Sequence, residues 1–130
     1  MKLKISFILL QCILLSACTR AAAQPSDPQV VIEKIVGDEF RLVLESNPST
    51  GYHWEAVGGL DSNVVELISK YYQSTSEVTL VGGGGVEIWV FRATGVGQTT
   101  ITLGYYPPSG SGAEPEKTQT FTVKVDDEDF

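Results

Sequence analysis

The sequence predicts an all-β fold class, and three observations point to it. Apolar and polar residues alternate with a period of two in several short runs, most clearly at 40–45, 100–105 and 120–125. Thirteen glycines and six prolines are too many for a helical bundle but suit a chain with many turns. The folded part shows no strong helical period of 3.6 residues. Together these features predict an immunoglobulin-like β-sandwich of about seven to eight strands.

The strands can be placed in order along the chain. Three have the clean alternation described above and the others are rich in β-branched and aromatic residues; we predict strands at 30–36, 39–46, 52–56, 64–73, 86–93, 98–106 and 118–125. Because consecutive strands run in opposite directions, the loops after the second, fourth and sixth strands should share one end of the sandwich. These loops are 47–51, 74–85 and 107–117. The folded domain is then 29–125, and residues 126–130 form an acidic, solvated tail.

The first 28 residues are predicted to be a targeting segment. A basic start with two lysines precedes an apolar run at 5–15, which is shorter than the about 20 residues of a stable membrane span. The run ends in Leu-Ser-Ala-Cys at 15–18, the pattern of bacterial lipoprotein signal peptides. We therefore predict a signal peptide at 1–17, lipidation of Cys18 and a flexible tether at 18–28, on a bacterial cell envelope. An ordinary signal peptide cut after the alanines at 21–23 is the alternative and would give a secreted protein.

Composition argues against several function classes. Nine basic residues against sixteen acidic ones give a formal net charge of −7, which disfavours nucleic-acid binding. One histidine and two cysteines are too few for a metal centre, so no metal or cofactor is predicted. The sequence has no nucleophile motif, and nothing in it orients His53 as a base. We interpret His53 as a strand-surface or loop-base residue and expect a monomeric protein that is not an enzyme.

All three loops at the shared end resemble motifs of one family. Residues 47–52, Asn-Pro-Ser-Thr-Gly-Tyr, resemble the NPTTGY-type motif of the chagasin-like family of cysteine-peptidase inhibitors. Residues 82–85 are four glycines followed by Glu87 and an aromatic strand, and they resemble that family's GxGG loop. The third loop follows the strand Leu-Gly-Tyr at 103–105 but keeps only Pro108 of the family's Arg-Pro-Trp/Phe motif. Pro107 stands where arginine is usual, and Ser109 where the aromatic is usual.

The resemblance implies both a fold and a function. It implies an immunoglobulin-like, non-covalent inhibitor of papain-like (clan CA) cysteine peptidases that pushes three loops as a wedge into the active-site cleft. The partner would be the peptidase. The residues facing it would be Asn47, Pro48, Ser49, Thr50, Gly51, Tyr52, Gly82, Gly83, Gly84, Gly85, Tyr106, Pro107 and Pro108.

The residue types of the first loop suit such a wedge. Asn47 can close the loop by an Asx turn, the proline after it fixes one φ angle, and Gly51 permits a positive φ or close packing. Ser49 and Thr50 then place small hydroxyl side chains at the tip. We expect Tyr52 to anchor the base of the loop in the core. The glycine loop could pair with a cleft through its main chain.

Other interpretations remain open. Each motif alone is compatible with a plain turn or a flexible linker, and Tyr106–Pro108 could be a stiff turn rather than a recognition face. The altered third loop also leaves room for a non-inhibitory binding or assembly lipoprotein of the same fold. A structural surface domain is a further alternative.

Overall fold

The protein folds as two β-sheets packed face to face. The computed structural model describes residues 29–75, 83–109 and 112–128. Its strands are β1 (Val30–Ile35), β2 (Glu39–Ser46), β3 (His53–Ala56), β4 (Val65–Ser74), β5 (Gly85–Ala93), β6 (Gly97–Tyr106) and β7 (Lys117–Asp126), with a 3₁₀ turn at Pro48–Thr50. One sheet has the order β1-β7-β6-β3 and the other β2-β5-β4. β1 runs parallel to β7, and the other pairings are antiparallel. The predicted immunoglobulin-like sandwich is confirmed.

The core lies between the sheets and is built by the period-2 pattern. β2 alternates strictly, with every second residue buried and the residues between exposed. Burying one large apolar side chain stabilises the fold by about 1.5–3 kcal/mol, so these rows fix which face of each strand points inward. The inward-facing residues of β2, β6 and β7 are Phe40, Leu42, Leu44, Ile101, Leu103, Phe121, Val123 and Val125, and all are buried.

β5 shows why one strand had no clean alternation. It is the central strand of its sheet, and four consecutive residues, Ile88 to Phe91, are buried. Trp89 and Phe91 belong to the core. Ile88 is in register with Val43 on one side and Tyr71 on the other. Side chains of β2 and β4 flank the outer face of β5, so the β5 residues on that face are buried as well. Both faces of β5 are therefore apolar, and its sequence does not alternate between apolar and polar residues.

Strand boundaries agree with the predictions to within one residue at each end. Five of the differences concern the loops and the tail. Ser74 and Lys117, predicted as loop residues, end β4 and begin β7. β3 begins at His53, so Tyr52 belongs to the preceding loop. β5 begins at Gly85, so the last of the four glycines is a strand residue. β7 ends at Asp126, which is one residue inside the predicted acidic tail.

Several predictions fall outside the described residues. They are the signal peptide at 1–17, the lipidated Cys18, the tether at 18–28 and Gly82. Within the ranges that are described, no helix has the length and apolar character needed to cross a membrane. The same ranges contain no group of three or more histidine, cysteine or acidic side chains placed to hold a metal ion.

Candidate functional site

Three loops meet at one end of the sandwich, as the strand order predicts. They connect β2 to β3, β4 to β5, and β6 to β7. A cavity of about 380 Å³ opens between their bases, and we call it the inter-loop cavity. All three connections contribute to its lining, which includes Ser46 and Asn47, Thr75 and Gly85, and Tyr105 and Lys117.

The first loop is a tight turn held by its own hydrogen bonds. The backbone N–H of Thr50 donates to the Asn47 carbonyl at 3.1 Å, and that of Gly51 donates to the Pro48 carbonyl at 3.0 Å. The Thr50 hydroxyl donates to the same Asn47 carbonyl at 2.7 Å, and the Ser49 hydroxyl donates to Asn47 Oδ1 at 2.6 Å. Ser49 and Thr50 are exposed at the tip, and both hydroxyls are engaged within the loop.

The expected Asx turn is wrong. The Asn47 side chain makes no capping hydrogen bond to the backbone of the 3₁₀ turn. Its Oδ1 accepts the Ser49 hydroxyl instead. The main-chain bond from Thr50 to the Asn47 carbonyl already closes the turn, so the side chain is not needed for that purpose.

Gly51 joins the first loop to the third. Its φ is +80°, in the left-handed region that favours glycine. A Cβ built at this position would lie 2.8 Å from Cβ of Pro108, which is closer than van der Waals contact allows. Only a residue without a side chain meets both conditions. The contact with Pro108 therefore fixes the two loops relative to each other.

An aromatic stack supports the bases of both loops. The Tyr52 ring lies 5.2 Å from that of Tyr105, and the Tyr105 ring lies 4.9 Å from that of the buried Trp54. The backbone N–H of Asn47 donates to the Tyr105 hydroxyl at 3.4 Å. Tyr52 itself is half-buried and lies outside the core, so the prediction that it anchors the loop in the core is wrong. Tyr52 is connected to the core through Tyr105, whose ring contacts both Tyr52 and the buried Trp54.

Electrostatics connect Tyr52 to the far end of the third loop. The negative charge of Glu116 is the main cause that raises the pKa of Tyr52 above its ordinary value of 10.0, and burial and a hydrogen bond with Glu116 add to it. The backbone N–H of Glu116 donates to the Tyr105 carbonyl at 2.8 Å. The first loop is therefore linked to the third loop in two ways, by packing of Gly51 against Pro108 and by the electrostatic effect of Glu116 on Tyr52.

The second loop is described at its two ends. The Thr75 hydroxyl donates to the Gly84 carbonyl at 3.0 Å and so draws the two ends together. Gly83 is half-buried and Gly84 is exposed. These two predicted site residues therefore lie at the mouth of the loop.

Gly85 lies in strand β5, whereas Gly83 and Gly84 of the same glycine run precede the strand. It pairs with Ser46 on one side and with Ser74 on the other, as the first residue of the central strand β5. A side chain at this position would collide with the Gln73 carbonyl and the Tyr72 hydroxyl. Its backbone is therefore used in the sheet and is not free to pair with another molecule.

Tyr106 is the last residue of β6, directly before the third loop; it is half-buried, and its ring is stacked on that of His53 with 6.2 Å between the ring centres. Pro107 is half-buried, and Pro108 is exposed apart from its contact with the first loop. His53 is exposed on β3, and its Nε2 lies 2.9 Å from Oε1 of Glu55. This position agrees with the interpretation of His53 as a strand-surface residue.

The sequence reading did not single out Ser46 and Lys117. Ser46 ends the inward-facing row of β2, and continuing the period-2 pattern would have found it. Lys117 opens β7 opposite Tyr105, and its Nζ lies 5.0 Å from the Tyr105 ring and 5.6 Å from the Trp54 ring. No local sequence signal marks Lys117, because both contacts cross between strands.

Comparison with known proteins decides the family. A sequence profile described as Chagasin family peptidase inhibitor I42 matches residues 35–125. The chain belongs to the chagasin family. Over 93 residues it is 31% identical to chagasin of Trypanosoma cruzi, covering 68% of this chain and 80% of chagasin. It is 30% identical to amoebiasin-2 of Entamoeba histolytica over 89 residues, covering 68% and 71%.

Several solved structures share the sandwich. A cysteine protease inhibitor of Entamoeba histolytica matches with a TM-score of 0.63 and 26% identity, covering 75% of this chain and 87% of that protein. ICP of Leishmania mexicana matches with a TM-score of 0.57 and 28% identity, covering 78% of this chain and 91% of that protein. PbICP-C, solved in complex with falcipain-2, has the same fold at 22% identity, with a TM-score of 0.54 over 75% and 89%. The chain thus belongs to a family of cysteine peptidase inhibitors, and the prediction that it is not an enzyme is confirmed.

Proposed function

We propose that the chain inhibits papain-like cysteine peptidases without a covalent bond, by inserting the three loops at one end of its sandwich into the active-site cleft. The structure of the first loop is the observation that supports this proposal. Ser49 and Thr50 form an exposed tip whose hydroxyls bond to Asn47, and Gly51 packs against Pro108 of the third loop. A loop ordered before binding loses little conformational entropy on binding, which favours affinity.

The tip has the shape needed to occupy a cleft. Its side chains are small and their hydroxyls are internally bonded, so it can approach a catalytic cysteine and histidine closely. The glycine loop can lie along the cleft and pair by its main chain, a role that falls to Gly83 and Gly84 because Gly85 is used in the sheet. A standard protease–inhibitor interface buries about 1,600 Å² in total, which three loops can supply.

The test is a titration of papain with the purified full-length chain in mild detergent. We expect inhibition at or below micromolar concentration that dilution reverses, because no covalent bond forms. Ser49→Arg should raise the inhibition constant at least tenfold, since a long charged side chain at the tip obstructs entry. The matched control is Ser62→Arg, an exposed serine between β3 and β4 at the opposite end, which should inhibit like the parent.

Absence of inhibition at micromolar concentration would overturn the proposal as a general statement about papain-like enzymes. An unchanged inhibition constant for Ser49→Arg would show that the first loop is not the tip of a wedge. The second candidate, a non-inhibitory binding or assembly lipoprotein, is favoured by the altered third loop with Pro107 and Ser109. Affinity capture from envelope extracts that recovers one constant partner and no peptidase would support it.

We also propose that the chain is a monomer attached to the membrane of a bacterial cell envelope by lipid on Cys18. Support comes from the Leu-Ser-Ala-Cys sequence directly after the apolar run. Phase separation in detergent tests the anchor. The parent chain should enter the detergent phase, whereas Cys18→Ala should remain in the aqueous phase once its signal peptide is cleaved. Partition of both proteins into the aqueous phase would contradict lipidation and favour a secreted protein.

A further inference from the structure

The two tryptophans each hold the stem of a different loop, where the stem is the pair of strands that flank the loop. Trp54 lies on β3, just after the first loop, and its indole N–H donates to the Glu45 carbonyl of β2 at 2.9 Å. It therefore connects both strands of the first stem. Trp89 lies on β5, after the second loop, and its indole N–H donates to Glu87 Oε1 at 2.8 Å. Both tryptophans are buried, so each stem has a fixed point inside the sandwich.

Lys70 of β4 contacts both of these fixed points. Its Nζ lies 4.7 Å from the centre of the Trp89 ring and 3.9 Å from Glu87 Oε1. The same Nζ donates to the Trp54 carbonyl at 3.5 Å. The Glu87 side chain is only 13% exposed, and a carboxylate that is shielded from water attracts an ammonium group more strongly. Lys70 thus connects the second stem to β3 in the opposite sheet.

Strand pairing joins the two stems on one side only. β2 pairs with β5, which fixes one side of the first loop relative to the second stem. On the other side, β3 and β4 lie at the edges of different sheets, and among the described strands they do not pair with each other. The first loop is already linked to the third through Gly51 and Tyr52. The contacts of Lys70 supply the corresponding link between β3 and the second loop.

We propose that Lys70 is a positioning residue for inhibition. Its ammonium group fixes the second stem against Trp54 beneath the first loop, so that both loops enter the peptidase cleft in one arrangement. An ammonium group suits this role because its three donors can serve a carboxylate and a carbonyl while its charge lies over a ring. Loops that are held relative to each other before binding lose less entropy on binding. The inference rests on the proposed function, since it concerns how the wedge is held together.

Two other roles compete with this one. The Lys70 side chain is 48% exposed, so its charge is also available to steer the approach of a peptidase or to contact the peptidase directly. The rate constants of inhibition separate the three roles. Steering changes association and fades with salt, the loss of a direct contact raises dissociation, and a positioning defect lowers association at every salt concentration.

The first experiment measures the rate constants of papain inhibition by the full-length chain in mild detergent. Lys70→Met removes the charge and the donors but keeps the length of the side chain and its packing on Trp89. We expect its association rate constant to fall about tenfold, because only molecules with both loops correctly placed can enter the cleft. The dissociation rate constant should stay within about twofold of that of the parent. Lys70→Arg keeps a charge and donors and should associate within about threefold of the parent rate.

Lys124→Met is the matched control, because Lys124 is an exposed lysine of β7 near the end of the strand that lies away from the three loops. It should have the rate constants of the parent at high salt. A slower association of Lys70→Met that persists at high salt supports positioning. Unchanged rate constants, a loss that disappears at high salt, or an effect on dissociation alone would each overturn the proposal. Thermal unfolding checks the fold, and Lys70→Gln replaces Lys70→Met if the latter does not fold.

The second experiment needs no peptidase. In the full-length, ¹⁵N-labelled chain in mild detergent, the two indole N–H signals report on the stems, and ¹⁵N relaxation of the Gly51 and Gly84 amides reports on the first and second loops. We expect Lys70→Met to shift both indole signals and to increase the motion of both loop amides relative to the parent and to Lys124→Met. Unchanged loop motion would show that Lys70 does not couple the two loops.

The two experiments separate this proposal from the proposed function. If the parent inhibits papain and Lys70→Met has the same rate constants, the positioning role is wrong and the wedge stands. If the parent does not inhibit papain, the proposed function is wrong, and the relaxation measurements alone decide whether Lys70 couples the two loops.

Discussion

Gly51 and Gly58 have nearly the same backbone conformation, with φ of +80° and +76°. They differ in their surroundings. A Cβ at Gly51 would press on Pro108, whereas a Cβ at Gly58 would meet no atom within 4 Å. Alanine variants at these two positions therefore distinguish two contributions to the free energy of unfolding: the strain of a positive φ, and the close contact between the first and third loops.

We expect Gly58→Ala to lower the free energy of unfolding by about 1 kcal/mol, since an alanine is strained at positive φ. Gly51→Ala should lower it by about 2–4 kcal/mol, because Pro108 must also move to make room. Urea unfolding of both variants measures the difference. Equal losses would show that Pro108 does not hold the first loop. The Gly51 variant should also inhibit papain more weakly, since its loop is no longer held in place.

The ionisation of Tyr52 reports on a second contact between the same loops. The Glu116 carboxylate disfavours the phenolate and raises the pKa of Tyr52, so Glu116→Gln should let Tyr52 ionise at a lower pH. The titration is measured by the ultraviolet absorbance of the phenolate as the pH is raised. The contribution of Tyr52 is the difference between the parent curve and that of the Tyr52→Phe variant. Glu114→Gln is the control for a lost charge in the same loop. An unchanged Tyr52 titration in Glu116→Gln would place Glu116 away from the ring.

The sign of the pH dependence follows from this shift. The folded protein holds the Tyr52 proton more tightly than the unfolded chain. Any stability linked to Tyr52 is therefore fully present below pH 10.0 and falls as the pH rises from there through the raised pKa. Glu116→Gln should make this alkaline loss smaller.

At the scale of elements, the third loop is the part that departs from the family motif. Tyr106 and Pro107 are half-buried, and Tyr106 stacks on His53 of β3, with which it is also in register. Pro108 and Ser109 are exposed. The loop base is thus well supported, and its exposed part lacks the cation and the aromatic ring that the family motif supplies.

Restoring the motif by Pro107→Arg together with Ser109→Trp should lower the inhibition constant for papain at least tenfold. The reason is that an arginine and an aromatic ring enlarge the contact with the peptidase, and such residues dominate many interfaces. Inhibition titrations measure the effect, with Ser62→Arg as the control for an added charge elsewhere. An unchanged constant would show that this loop is not engaged.

The strands show which elements a sequence reveals. β2, β6 and β7 have one face in the core, so their inward residues follow a period of two and were predicted correctly. β5 is central and apolar on both faces, so it was recognised by its β-branched and aromatic residues and by the turns around it, not by alternation. Gly85 looked like a loop residue because a run of glycines carries no periodicity. Gly85 is a strand residue because it pairs with Ser46 of β2 and Ser74 of β4, and neither is its neighbour in sequence.

At the scale of the whole molecule, the described core lies outside the predicted targeting segment. The buried residues of that core lie between Phe40 and Val125, and the seven described strands lie within residues 30–126. A chain that starts at Gln29 should therefore keep the free energy of unfolding of the longer chain to within about 0.5 kcal/mol, and it should inhibit papain equally well. Urea unfolding and inhibition titrations check this. A loss above 1 kcal/mol would show that the preceding residues pack on the domain.

The sequence by itself determined the fold class, the strand boundaries and the identity of the three loops, because these depend on local patterns of two to ten residues. It also predicted correctly that the three loops share one end, since antiparallel strands alternate in direction. The tertiary structure decided how the loops are held: Pro108 against Gly51, Tyr105 between Tyr52 and Trp54, and Lys117 over the rings of Tyr105 and Trp54. These contacts join residues far apart in the chain, and their free energies depend on distances that only the packing of the two sheets sets.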